Sequence, residues 1–147
     1  MVVPASEADI PSWLAIVREV EPLFGPMARF DITLRTKIAE GAALCVRAAD
    51  GAVEGGVLLG GQGPDHWIRW LAVRHSARRR GTGSALLDAV LSRCPAPCTV
   101  SLATFGPDIA GGRPARRLYE RFGFAAGAML AGDPGSGSRQ KFVLVRP

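Results

Sequence analysis

The chain has 147 residues, of which 48% are hydrophobic and 21% charged, with a mean hydropathy of +0.16. That is enough apolar surface for one packed domain over residues 1–147 and excludes an intrinsically disordered chain. The net charge of +5 is uneven, with −3 over residues 1–60 and +7 over residues 66–121, where ten arginines stand against Asp88, Asp108 and Glu120; this excess suits a polyanionic ligand such as phosphates, nucleic acid or a phosphorylated cofactor.

Ile10, Trp13, Leu14, Val17 and Val20 recur at helical spacing behind Ser6 and Asp9 as caps, so a first helix is predicted, broken by Pro22, Gly25 and Pro26. Met27, Phe30, Leu34 and Ile38 suggest a second, ending at Gly41. Residues 42–48 and 53–59 are apolar runs joined through Asp50-Gly51, a hairpin signal, and residues 66–73 read as a third meander strand. A helix over residues 83–93 and a strand over 98–104 follow, and strand–helix–strand implies a parallel pair. The glycine-rich segment 106–112 leads into a helix with Pro114 near its start and Gly123 as its stop. Residues 124–131 and 141–146 close the chain as a strand pair around an expected mobile loop, 132–140.

No uncharged stretch reaches the roughly 20 apolar residues of a membrane span, and residues 1–7 show no secretory signal, so a cytoplasmic location is the expectation. Cys45, Cys94 and Cys98, with His66 and His75, form no metal-ligand spacing; they are read as reduced thiols and no metal is expected.

The most informative segment runs from Leu71 to Leu87, where a strand enters a loop holding Gly81 and Gly83 and a helix begins at once. Glycines let the backbone approach a ligand, and a helix's first turn offers unpaired N–H groups and a positive dipole end, which suits phosphate. It is neither a Walker loop nor a dinucleotide fingerprint, since no Gly-Lys-Ser/Thr follows and Leu86 stands where a third glycine would be.

The spacing Arg78-x-x-Gly81-x-Gly83 behind Leu71-x-Val73 resembles the acyl-CoA signature of the GNAT superfamily of N-acyltransferases. The segment Arg117-Leu118-Tyr119-Glu120-Arg121-Phe122-Gly123-Phe124 is similar to that superfamily's other recurrent element, a helix carrying a tyrosine and ending in a Gly-Phe step. The resemblance implies an α/β fold with a mixed sheet of about seven strands, an antiparallel meander, a central parallel βαβ unit and four helices. It implies an enzyme moving an acetyl group from acetyl-CoA to a primary amine of a small molecule or peptide by direct attack. Leu71 and Val73 would pair with the pantetheine arm, and Arg79, Arg80, Gly81, Thr82, Gly83 and Ser84 would hold the pyrophosphate. Arg78 would meet phosphates or pack the loop. The N–H of Val73 or its neighbour would face the developing oxyanion, and Tyr119, the chain's one tyrosine, would protonate the departing thiolate.

Many relatives carry a glutamate base on one of the two central strands; here neither strand has one, and His66 and Asp65 rank first as substitutes, with Asp108 behind them. An acyl-CoA-binding sensor with little catalysis is the alternative that this absence motivates. By the same resemblance the acceptor is expected beside the front helices, near Trp13, Phe24, Met27 and Phe30, with Glu19, Glu21 and Asp31 close by. A homodimer is common among chains of this resemblance, and no recognition motif supports nucleic acid.

Overall fold

The computed structural model describes residues 1–131 and 137–147; the first five residues of the expected 132–140 loop lie outside them, and its last two, Arg139 and Gln140, belong to the final strand. Seven strands form a sheet in the order β1-β2-β3-β4-β5-β7-β6: β1 (Val2–Pro4), β2 (Ala43–Arg47), β3 (Val53–Gln62), β4 (Asp65–Val73), β5 (Cys98–Phe105), β6 (Ala125–Leu130) and β7 (Arg139–Arg146). The helices are α1 (Ile10–Phe24), α2 (Phe30–Ala39), α3 (Thr82–Ser92) and α4 (Arg113–Arg121). All neighbouring strands are antiparallel except β4 and β5, which α3 joins as a parallel βαβ unit. The predicted fold class, meander and βαβ unit are therefore present.

Alternation along the strands divides the apolar residues between two faces. Ala43, Cys45, Leu58, Trp70 and Ala72 pack under α1 and α2, with Trp13 stacked on Trp70 at 5.8 Å between ring centres. Leu44, Val57, Ile68, Val100, Leu102 and Phe142 pack on the other face against Leu86, Leu87 and Val90 of α3 and Tyr119 of α4. Helices thus cover both faces, and the sheet is the shared floor of two cores.

Two elements differ from expectation. Helix α1 continues past Pro22 to Phe24, where Gly25, at φ +88°, ends it. A proline in the last turn forfeits one backbone bond, and packing of Phe24 against Trp70 and Phe105 offsets that loss. Strand β1 was not foreseen, because three residues are too few to show a period; it pairs with β2 at the sheet edge. Just after it, Asp9 is buried and takes two hydrogen bonds from Arg47, at 2.8 and 2.7 Å, that hold its carboxyl below the usual range and tie the start of α1 to β2.

Candidate acyl-CoA cleft

The site begins with an irregularity in β4. Leu58 of β3 faces Trp70 and Leu59 faces Ile68, so Arg69 has no partner opposite and forms a β-bulge. Bulges bend a strand and increase its twist. At this point β4 leaves β5: residues 65–68 pair with residues 99–102, and beyond Ile68 the two strands part. β5 continues to Phe105 on the support of β7 alone. The result is a wedge-shaped gap opened by one extra residue.

Register fixes which backbone groups face that gap. Arg74 N–H donates to the Glu54 carbonyl at 2.6 Å, and in an antiparallel ladder the bonding groups alternate sides. The N–H and C=O groups of Ala72 therefore point to β3, and those of Leu71 and Val73 point into the gap. The Val73 carbonyl is already engaged, since Arg78 Nε donates to it at 3.3 Å. Arg78 thus packs the loop, one of the two roles expected for it.

Beyond β4 the chain makes a short turn, and Arg79 (φ +65°) and Gly81 (φ +81°) both adopt left-handed conformations that redirect it into α3. Among the described residues, the first backbone bond of the helix runs from Ala85 N–H to the Gly81 carbonyl at 2.9 Å, and the N–H groups of Arg79 to Ser84 have no backbone acceptor. Free donors in succession at the positive end of an eleven-residue helix make a cradle of the kind that suits an anion, and all of them but that of Arg80 belong to residues lining the cleft into which it opens. At Gly83 an added β-carbon would lie 3.0 Å from Leu118 Cδ2, so glycine lets α3 lie close to α4.

Gap and cradle open into a cleft of about 1160 Å³, larger than most small-molecule pockets. Of the predicted cofactor residues, Leu71, Val73, Arg78, Arg79, Gly81, Thr82, Gly83 and Ser84 line it; Arg80 is exposed and does not. Tyr119 lines it too. Its ring sits edge-on to Phe124 and Phe142, and burial pushes its hydroxyl above the ordinary tyrosine range, which keeps it protonated.

Asp65 and His66 do not line the cleft. They sit where β4 is still paired with Thr99 and Val100 of β5, and His66 faces a smaller pocket with Arg93 and Cys94. At roughly 3.3 Å per residue, His66 is about 13 Å along the strand from Trp70. The expectation that either lies beside the reacting atoms is therefore corrected: both occupy the closed end of the gap. Asp108 is fully exposed, outside the lining, and accepts a hydrogen bond from Ser138. Among the described residues, none that lines the cleft is Asp or Glu.

Other lining residues escaped the sequence reading. Arg117 and Arg121 stand one turn apart on α4, a spacing that was visible beside Tyr119. Arg139 joins them from β7, over the Phe105 ring at 4.8 Å and bonded to the Phe24 carbonyl at 2.8 Å. His75 is exposed at the turn after β4. It lines the cleft, and its N–H is held by the Glu19 carboxylate of α1. On the α1 and α2 side, Phe24 and Met27 reach the cleft, whereas Trp13 and Phe30, expected beside them, are buried in the core.

Residues 40–126 match the family model of the acetyltransferase (GNAT) domain. The chain belongs to the GNAT acetyltransferase family. No curated protein sequence gives a significant match. Among solved structures, Ard1 from Thermoplasma volcanium is similar at 25% identity and TM-score 0.82, covering 100% of this chain and 97% of that one. The NatC complex bound to Gag peptide and CoA aligns at 16% identity and TM-score 0.80, covering 100% and 98%. The ribosomal-protein-S18-alanine N-acetyltransferase of Escherichia coli aligns at 17% identity and TM-score 0.75, covering 99% and 93%. Among the described residues, no helix is long and apolar enough to cross a membrane, and no group of three His, Cys, Asp or Glu residues is placed to hold a metal ion.

Proposed function

We propose that this GNAT chain acetylates the α-amine of a peptide N-terminus, using acetyl-CoA, within one domain over residues 1–147. The observation that carries the reading is the junction of the β4–β5 gap with the N–H cradle of α3, which offers one continuous path for a diphosphate and its pantetheine arm. Acetyl-CoA supplies the acetyl group as a thioester. The N–H groups of Arg79 and of Gly81 to Ser84 receive the pyrophosphate, with the Thr82 and Ser84 hydroxyls as further donors. Leu71 presents both backbone groups to the pantetheine as a strand edge would. The Val73 N–H donates to the negative charge that develops on the carbonyl oxygen. Tyr119 gives its proton to the departing thiolate and is restored by the proton that the attacking nitrogen sheds, so that the free thiol and the neutral amide leave.

The acceptor class follows from proton balance. With no carboxylate among the described residues of the lining, the amine must arrive neutral. An α-amine has a pKa near ~7.8 and a lysine side chain near ~10.4, so at pH 7.5 the neutral fraction of the former is roughly 300-fold larger. A cleft whose described lining holds His75 but no carboxylate therefore favours the amine that is already largely neutral, an α-amine. The peptide-bound NatC complex and the ribosomal-protein-S18-alanine acetyltransferase share the fold, which agrees with this reading.

The test is thiol release from acetyl-CoA over a panel of short peptides with free or blocked N-termini and with or without lysine. Free α-amines should be acetylated, with kcat/KM rising tenfold per pH unit below about pH 7.8 and then levelling, and no carboxylate inflection between about pH 4 and 6. Background release with every amine, alongside tight coenzyme A binding, would instead identify an acyl-CoA-binding module.

A further inference from the structure

On the reading above, coenzyme A and the acceptor would approach this sheet from opposite faces. The cradle of α3 belongs to the α3–α4 side, and the acceptor has the α1–α2 side, reached through the gap. On that side, beyond the cover of the helices, the surface is neither neutral nor acidic.

Trp67 of β4 is half-buried and flanked by two cations, with Arg69 Cζ 4.8 Å and Lys141 Nζ 5.2 Å from its ring centre. Lys37 of α2 joins them. A β-carbon built on Gly60 would stand 2.8 Å from Arg69 Nε and 3.4 Å from Lys37 Nζ, so the two side chains converge above a residue that must be small. Ala103, exposed between β4 and β7 and paired with Lys141, leaves the floor open. Among the described residues, Arg69 and Lys141 meet no carboxylate within 4 Å, and Lys37 meets Glu40 alone, at 3.9 Å across one helical turn. Of the acids of the front helices, Glu19 is bonded to His75 and Glu40 is the one that meets Lys37.

Two cations flank one indole and a third stands beside Arg69; like charges gathered this closely repel each other, and an anion seated among them relieves that repulsion. The patch is also continuous with the cleft. Arg69 lines both, and Lys141 lies two residues along β7 from Arg139, which lines the cleft. Two strand residues span about 7 Å, the reach of an extended peptide's second or third residue from its amine.

We propose that Trp67, Arg69, Lys141 and Lys37 form an acceptor subsite for acidic peptide N-termini, reading a carboxylate at the second or third position. This rests on the α-amine reading above. The patch steers the acidic segment across the sheet face and seats its carboxylate on Arg69 and Lys141, while the free amine enters the gap. Charge complementarity decides against neutral or basic segments.

Serine-led peptides with Asp, Ala or Lys at positions two and three make the test, read as ratios of kcat/KM within each protein. The wild-type chain should favour the Asp peptide about tenfold over the Ala peptide at low salt, and the preference should fade at high ionic strength. The Arg69→Gln/Lys141→Gln double variant should bring the ratio to about one, and Lys141→Glu should turn it toward the Lys peptide, each with coenzyme A affinity retained. Equal turnover of the three peptides by the wild type, or a ratio that survives both variants, overturns the subsite and leaves the α-amine reading standing. Absence of turnover with every peptide overturns both.

Discussion

Tyr119 joins two properties that seem opposed in an acid. Burial raises its pKa, which weakens it as a proton donor, yet the same apolar surroundings act on the thiolate it must protonate. A thiolate leaving beside the tyrosine loses solvation as well, which raises its demand for the proton that the tyrosine holds. Tyr119→Phe keeps the ring and its edge contacts to Phe124 and Phe142. The expected result is a fall in kcat of roughly 10²-fold with coenzyme A affinity and melting temperature nearly unchanged, as read by thiol-release kinetics and calorimetry. Unchanged kcat would leave Tyr119 as a packing residue. This tyrosine and the donor loop were legible in the sequence because each is a local pattern on one element. The base was not, since Asp65 and His66 were singled out for being titratable groups on the right strand, and nothing in the chain's order says which end of a strand opens.

The opening is set by an element-level feature, the unpaired Arg69, and the sequence carries no sign of it. Trp67, Ile68, Arg69, Trp70 and Leu71 read as an ordinary strand, and only the partner register of β3 shows that one residue is surplus. After the bulge the side-chain alternation is displaced by one, so Ile68 joins the core under α3 while Trp70 joins the core under α1. The approach of α3 to α4 is the second such feature. A side chain at residue 83 must displace Leu118, whose Cδ2 would be 3.0 Å from the new β-carbon, and would also crowd the donors of the first helical turn. Gly83→Leu should therefore weaken coenzyme A binding by at least about tenfold while costing roughly 1–3 kcal/mol of stability through overpacking. Calorimetric titration alongside thermal unfolding checks both, and normal affinity in a folded Gly83→Leu protein would displace the phosphate site from this loop.

At the scale of the whole molecule, the element order was readable because periodicity, turn residues and the βαβ rule all agree with one sheet. What the order leaves out is how the layers divide the work. Helices α3 and α4 cover the face that offers the cradle, α1 and α2 cover part of the other, and the two faces communicate through the β4–β5 gap. A ligand seated there bridges both cores and should stabilise the fold as a unit. For a ligand at about 100 times its Kd, mass action gives roughly 2.7 kcal/mol. In a domain of about 150 residues that converts to a rise in melting temperature of about 5–10 °C. Coenzyme A should produce this shift in wild-type protein, and added salt should reduce it, because much of the attraction lies between phosphates and the arginine-rich middle of the chain. An equal concentration of free pantetheine, which lacks the diphosphate, should give a much smaller rise. If differential scanning fluorimetry finds the two compounds equivalent, the N–H cradle of Arg79 to Ser84 is not where the diphosphate binds, and the continuous path through the gap loses its anchor.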